Sequence, residues 1–170
     1  MKKLLALLLL FAALAAGWYL ASPWLAMDGL RDAAQAMDRA ALEERVDFAA
    51  IRANLRENLR GAVEREVAQS DSPLAQLGGG LATGIGGMAV DAAINPEGIA
   101  ALVVTGRLAG PLVPEDMRQG EIDWEVDRGG LNGFEARGTF EDGRAGPTLH
   151  FARDGFGWDL VDVTLPGSGL

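Results

Sequence analysis

Residues 121–140 read EIDWEVDRGGLNGFEARGTF, with apolar and polar side chains alternating on both sides of a glycine pair. Because successive side chains of a β-strand point to opposite faces, this alternation predicts two strands, each with one apolar face. The apolar positions are Ile122, Trp124 and Val126 in the first strand and Phe134, Ala136, Gly138 and Phe140 in the second. The pair Gly129-Gly130 is typical of the connection in an antiparallel hairpin.

Two further strands are predicted after this hairpin. One contains Leu149 and Phe151, and the other covers residues 158–165. The turn residues that precede these strands are Asp142-Gly143 and Asp154-Gly155. Residues 120–166 are therefore predicted to form a four-stranded antiparallel meander.

Residues 22–104 carry the signals of helices instead. Four residues that commonly cap a helix N-terminus precede apolar residues at helical spacing: Ser22, Asp38, Asp47 and Asn95. Pro23 and Pro96 follow the first and the last of these, where a proline is favoured in the first helical turn. Helices followed by hairpins predict a single α+β domain over residues 22–170, with the helices packed on one face of the sheet.

The first 21 residues form an apolar segment preceded by Lys2 and Lys3. As a helix, residues 4–21 span about 27 Å, close to the roughly 30 Å of a bilayer core. The two lysines favour the cytoplasmic side, so the body is predicted to lie in the periplasm of a bacterium, anchored in the inner membrane. The alternative is a cleaved signal peptide, ending at 13–15 or 15–17, which would leave a soluble periplasmic protein.

Composition excludes several classes of function. The net charge is −9, from 24 acidic and 15 basic residues, so a nucleic-acid partner is not expected. Cysteine is absent, which excludes disulfides and thiolate metal sites. His150 is the only histidine, so one chain cannot build a zinc site from several imidazoles. No metal, no cofactor and no catalytic residue are predicted.

Several short motifs resemble a bacterial family catalogued as domain of unknown function 2939. They are Ser22-Pro23-Trp24, Asp38, Val46-Asp47-Phe48, Leu55-Arg56, Asn95-Pro96-Glu97-Gly98 and the closing stretch from Phe151 to Pro166. The resemblance covers residues 19–166 and implies no catalytic residue. The chain is also similar, more weakly, to the nuclear-transport-factor-2-like cone, which implies a small-ligand pocket. The glycine-rich helix before the sheet departs from that plan.

Two charged patterns are candidate sites. Glu121, Asp123, Glu125 and Asp127 share one strand face, which is typical of a solvated outer face and could also hold calcium or a basic partner. Arg137 on the next strand is expected to neutralise part of this row. Arg52, Arg56 and Arg60 follow one another at intervals of four on a helix, where an anion or an acidic partner would relieve their repulsion. Glu57 and Glu64 could do so internally.

A second set of candidates is aromatic. If the helices close over the sheet as a cone, Trp124, Phe134, Phe140 and Trp158 are predicted to line an apolar ligand pocket, with Asp159 or Asp162 orienting the ligand. His150 is predicted to lie on the outer face of the sheet without a catalytic partner. The glycines of residues 74–94 indicate close packing, either within the domain or across a homodimer.

These observations favour a non-enzymatic envelope protein that binds another protein or envelope component. Two alternatives stay open. A small-ligand binder requires an apolar cavity between helices and sheet, and a carboxylate-based hydrolase or isomerase requires two acids in one cleft, at least one with a raised pKa.

Overall fold

The computed structural model describes residues 2–69, 84–107 and 122–166. The helices are α1 (Lys2–Gln35), α2 (Arg39–Arg45), α3 (Phe48–Ala68), α4 (Gly84–Ala93) and α5 (Pro96–Thr105). The strands are β1 (Ile122–Asp127), β2 (Gly133–Phe140), β3 (Ala145–Asp154) and β4 (Gly157–Thr164). This order confirms the α+β class. Glu121 and the first part of the glycine-rich segment, residues 74–83, lie outside the described ranges.

The sheet is the predicted meander. Its strand order is β1-β2-β3-β4, and each strand pairs antiparallel with the next. In this register Phe134 lies opposite Phe151, and Trp124 lies opposite Gly138. The β1–β2 and β3–β4 connections therefore lie at one end of the sheet, and the β2–β3 turn lies at the other.

The helices pack on one face of the sheet, as predicted. The largest buried side chains come from both layers: Leu30, Leu42, Ile51, Ile99 and Leu102 from helices, and Phe134, Leu149, Leu160 and Val163 from strands. Removing this apolar surface from water is the main contribution to the stability of the fold. The carboxylates of Asp123, Glu125 and Asp127 lie on the opposite, exposed side of β1.

The α2–α3 connection fixes the helices to the last strand. Val46 forms a parallel bridge with Leu160, and the Asp47 backbone N–H donates to the Leu160 carbonyl at 2.9 Å. The Asp47 carboxylate also accepts a bond from the Ala50 N–H at 2.8 Å, and so caps α3. Asp38 caps α2 in the same way, through the N–H of Ala41. Both predicted caps are confirmed.

The prediction that a helix begins at Ser22-Pro23 is wrong, because α1 is one helix of 34 residues with Pro23 inside it. Proline has no N–H and leaves the carbonyl four residues earlier, that of Tyr19, without its helical partner. Two donors replace it: the Ser22 hydroxyl at 2.8 Å and the Arg128 guanidinium at 3.1 Å. The apolar N-terminal helix therefore continues without a break into the core of the domain.

Candidate functional site

A cluster of cationic and aromatic side chains joins α1 to the sheet. The Arg128 guanidinium lies 4.3 Å from the ring centroid of Tyr19, and that of Arg153 lies 4.7 Å from the same ring. Arg153 also lies 4.0 Å from the Trp158 ring. Each contact of this kind contributes about 0.5–1 kcal/mol when it is exposed and more when water is excluded. We call Tyr19, Arg128, Arg153 and Trp158 the arginine–aromatic cluster.

The two cations of this cluster donate hydrogen bonds to backbone carbonyls. Among the described residues, neither Arg128 nor Arg153 forms an ion pair. Their hydrogen bonds go to backbone carbonyls: Arg128 Nη2 donates to Tyr19 and Arg153 Nη1 donates to Phe156. Arg128 also lies 5.8 Å from the Trp158 ring, so the two like charges share the same two rings.

Ser22 connects the cluster to the core. Trp158 Nε1 donates to Ser22 Oγ at 3.0 Å, and both side chains are buried. Because a buried indole N–H needs an acceptor, Ser22 fixes the orientation of the Trp158 ring. On the outer side of the cluster, the Tyr19 hydroxyl donates to the Leu131 carbonyl at 2.7 Å. The β1–β2 connection is thereby held beside residue 19 of α1.

Large apolar side chains surround the cluster and are exposed. The exposed fraction is 72% for Leu131 in the β1–β2 connection and 86% for Phe156 in the β3–β4 turn. Trp18 on α1 is 47% exposed beside them. The end of the sheet nearest the apolar part of α1 therefore combines unpaired cations with exposed apolar groups.

A cleft of about 390 Å³ opens next to the cluster. It is lined by α1, α2 and the β3–β4 hairpin, including Trp18, Ser22, Glu44, Trp158 and Asp159. Burial raises the pKa of the Asp159 carboxyl above its ordinary value, and the neighbouring carboxylates of Asp154 and Asp47 raise this pKa further. The structure therefore places Asp159, one of the two acids predicted to orient a ligand, in this cleft.

Replacing Asp159 by Asn is expected to stabilise the fold at neutral pH. A folded-state pKa above 3.8 means that Asp159 binds its proton more tightly in the folded state than in the unfolded state. The ionised Asp159 carboxylate therefore destabilises the folded state. This destabilisation is absent at pH values below 3.8 and grows as the pH rises through the raised pKa. Since solvent screens a partly exposed carboxylate, we expect a gain of roughly 0.5 kcal/mol at pH 7.

Urea denaturation of the Asp159→Asn variant at pH 7 and pH 3.5 measures this gain, which should vanish at the lower pH. Asp123→Asn, on the exposed sheet face, is the matched control for the substitution itself. Equal effects of Asp159→Asn at both pH values would contradict the electrostatic origin.

The structure places the four aromatic residues that were predicted to line a pocket in three different surroundings. Phe134 is buried, stacks on Phe151 with centroids 4.3 Å apart, and meets Trp158 edge-on at 5.0 Å. Trp124 is partly buried and donates from Nε1 to the Val103 carbonyl at 2.9 Å. The Phe140 ring lies beneath the guanidiniums of Arg107 and Arg144. Of the four, Trp158 lines the cleft of about 390 Å³ described above.

Each of the three helical arginines has a partner inside the chain. Arg52 donates to the Ile94 carbonyl through two nitrogens, at 2.7 and 3.1 Å. Arg56 pairs with Asp91 and lowers the pKa of that carboxyl. Arg60 pairs with Glu57 at 3.0 Å, as the sequence allowed. Arg52 and Arg56 thus connect α3 to the end of α4. The role of the three arginines in binding an anion or partner stays a prediction.

Three acids of the row, Asp123, Glu125 and Asp127, lie with His150 on the outer face of the sheet, as predicted, and Glu121 lies outside the described residues. Arg137 bonds Asp127 at 2.9 Å and Glu135 at 2.8 Å, which confirms that it neutralises part of this face. His150 Nε2 lies 2.9 Å from the Thr164 hydroxyl, and its other ring nitrogen lies 3.5 Å from Glu135.

Taken together, fold and site define a small α+β domain carried on an N-terminal helix that is long and apolar enough to cross a membrane or to act as a signal segment. The chain belongs to the family described as protein of unknown function DUF2939, whose model matches residues 12–102. The match runs from inside α1 into α5. The sheet lies beyond it, so the resemblance of the closing stretch stays a prediction. No curated protein and no solved structure matches the chain.

Proposed function

We propose that this protein is a non-enzymatic binding domain of the bacterial cell envelope. In this proposal residues 4–21 stay in the inner membrane, and the α+β domain binds another envelope component on the periplasmic side. The observation that carries the proposal is the continuity of α1, which runs from the apolar N-terminal residues into the core as one helix.

The continuity of α1 restricts where the domain can work. A flexible linker would let a domain sample a wide volume, whereas a helix transmits position and orientation along its length. The 34 residues of α1 span about 51 Å, of which residues 4–21 account for about 27 Å. The remaining turns pack against α5, and Leu30 and Ala34 in this part of α1 are buried in the core. A domain held in this way acts beside the bilayer.

The placement of the aromatic residues supports a binding surface over an enclosed pocket. Phe134 and Trp158 pack in the core together with Phe151, so their rings stabilise the domain. The acidic side chains of β1 face away from the helices. What remains accessible for a partner is the outer surface, above all the end of the sheet that carries the arginine–aromatic cluster.

Membrane fractionation of the full chain in a Gram-negative host tests the proposal. We expect the intact mass of the unprocessed chain in a carbonate-resistant membrane pellet. We also expect protease digestion of the body once the outer membrane is permeabilised. A matched control replaces residues 1–16 by a cleavable signal peptide, which keeps Tyr19 and should release a folded periplasmic domain. A native chain shortened by the roughly 15–25 residues of a signal peptide and found in the soluble periplasm would refute membrane anchoring.

A further inference from the structure

We propose that the end of the sheet formed by the β1–β2 connection and the β3–β4 turn is seated on the outer surface of the membrane. Arg128 and Arg153 bind lipid phosphates there, and Leu131 and Phe156 enter the interfacial region of the bilayer. This inference rests on the proposed function, because it requires α1 to stay in the membrane.

The position of α1 in the bilayer determines the depth at which this end of the sheet lies. If residues 4–21 fill the hydrocarbon core, Tyr19 lies near its outer boundary. The hydrogen bond from the Tyr19 hydroxyl to the Leu131 carbonyl places the β1–β2 connection at that same level. Tyrosine and tryptophan are enriched at this boundary, where Trp18 and Tyr19 both lie. The helix thus brings this end of the sheet to the headgroups.

The exposed apolar residues fit this position. Leu131 and Phe156 sit at the tips of two neighbouring connections, and most of each side chain is exposed. Large exposed apolar groups that cluster on one surface of a soluble domain mark a contact with a protein or a membrane. Because Leu131 and Phe156 lie beside the apolar part of α1, the bilayer is the nearest surface that they can contact.

The charges point to phosphate groups. Arg137 and Arg144, the other described arginines of the sheet, both form ion pairs with carboxylates. Among the residues that the structure describes, Arg128 and Arg153 form none, although Asp154 is adjacent in sequence to Arg153. The two sheet arginines without a carboxylate partner are therefore the two at the membrane end. A guanidinium without a carboxylate partner favours a phosphate group as its counter-ion, which makes lipid headgroups the matching ligand.

The absence of cysteine allows a direct measurement of depth. Single variants Leu131→Cys and Phe156→Cys, each in the full chain, are spin-labelled and reconstituted in vesicles of phosphatidylcholine and phosphatidylglycerol. The control is a label at Glu141→Cys on the opposite turn. Compared with this control, we expect both labels to collide more with oxygen, which concentrates in the bilayer. We also expect them to collide severalfold less with a water-soluble nickel chelate. Nickel accessibility equal to that of the Glu141→Cys label would overturn the inference.

A label at Leu10→Cys separates this inference from the proposed function. If this label is reached by nickel, α1 is not in the bilayer and the proposed function fails. If it is protected while the labels at 131 and 156 are fully accessible to nickel, α1 spans the membrane and only the seating of the sheet is refuted.

The phosphate contact is tested with the combined change Arg128→Gln and Arg153→Gln. We expect nickel accessibility at position 156 to rise severalfold, whereas Arg144→Gln, which removes a paired arginine at the other end, leaves it unchanged. Near-ultraviolet circular dichroism verifies folding. If the double variant does not fold, the unaltered arginines are compared in phospholipid vesicles and in glycolipid vesicles that lack phosphate, where the same rise is expected. No rise in these comparisons would refute phosphate binding.

Discussion

Replacing Phe134 by Ala is expected to lower the free energy of unfolding by about 3–5 kcal/mol. The Phe134 ring is 2% exposed and lies between the rings of Phe151 and Trp158. Its removal leaves a cavity that the surrounding side chains cannot fill, because Ala136, Leu149 and the helices above them are held by the sheet register and the core.

Urea denaturation of the full chain in mild detergent, followed by tryptophan fluorescence, measures this loss. Phe11→Ala is the matched control, since it truncates the same side chain where it is 74% exposed on the N-terminal part of α1. We expect the control to change the stability of the domain by less than about 0.5 kcal/mol. A cost below about 1 kcal/mol for Phe134→Ala would show that the ring borders an open space and would favour the ligand pocket predicted from the sequence.

The sheet could be predicted because its signals are local. Alternation of apolar and polar residues sets which side chains of β1 and β2 face the core, and glycine-containing connections set the hairpins. The caps at Asp38 and Asp47 are local for the same reason, since each side chain bonds an N–H three residues later. Such patterns depend little on the rest of the chain.

The structural features that the sequence could not predict depend on interactions between distant parts of the chain. At Ser22-Pro23 the local signal indicates a helix start, yet Arg128 bonds the carbonyl that Pro23 leaves free and the helix continues. The pairing of Arg56 with Asp91 likewise depends on how α4 lies against α3. Gly86 fits this packing, because a Cβ there would overlap Leu59 of α3. This contact agrees with close packing within the domain, one of the two alternatives predicted for residues 74–94.

Part of the arginine–aromatic cluster could be predicted from the sequence. Arg128 follows β1 and Arg153 lies near the end of β3, so a four-stranded meander places both at one end of the sheet. That signal could have selected them. Nothing in the sequence, however, places Tyr19 against Leu131, because the hydrogen bond joins residues 112 positions apart. This contact is what relates the cluster to the apolar helix.

The change Gly98→Ala is expected to destabilise the protein by the upper part of the roughly 1–3 kcal/mol typical of overpacking. Helices α4 and α5 meet at 77°. Asn95 joins them, because its Oδ1 accepts from the Gly98 N–H at 2.8 Å and its Nδ2 donates to the Ala92 carbonyl at 2.7 Å. Gly98 is buried at this junction, and an added Cβ would overlap the carbonyl of Ala93, a backbone group that cannot move without opening the bend.

Gly87→Ala in α4 is the control, since nothing lies within 4 Å of the added Cβ. That change should stabilise the helix by about 0.5–1 kcal/mol, so the two alanines have opposite signs in the same denaturation experiment. Such a result would assign a structural role to the Asn95-Pro96-Glu97-Gly98 motif: it sets the angle at which α5 enters the core beneath α1. If Gly98→Ala is as harmless as Gly87→Ala, the bend between α4 and α5 is not what the motif maintains.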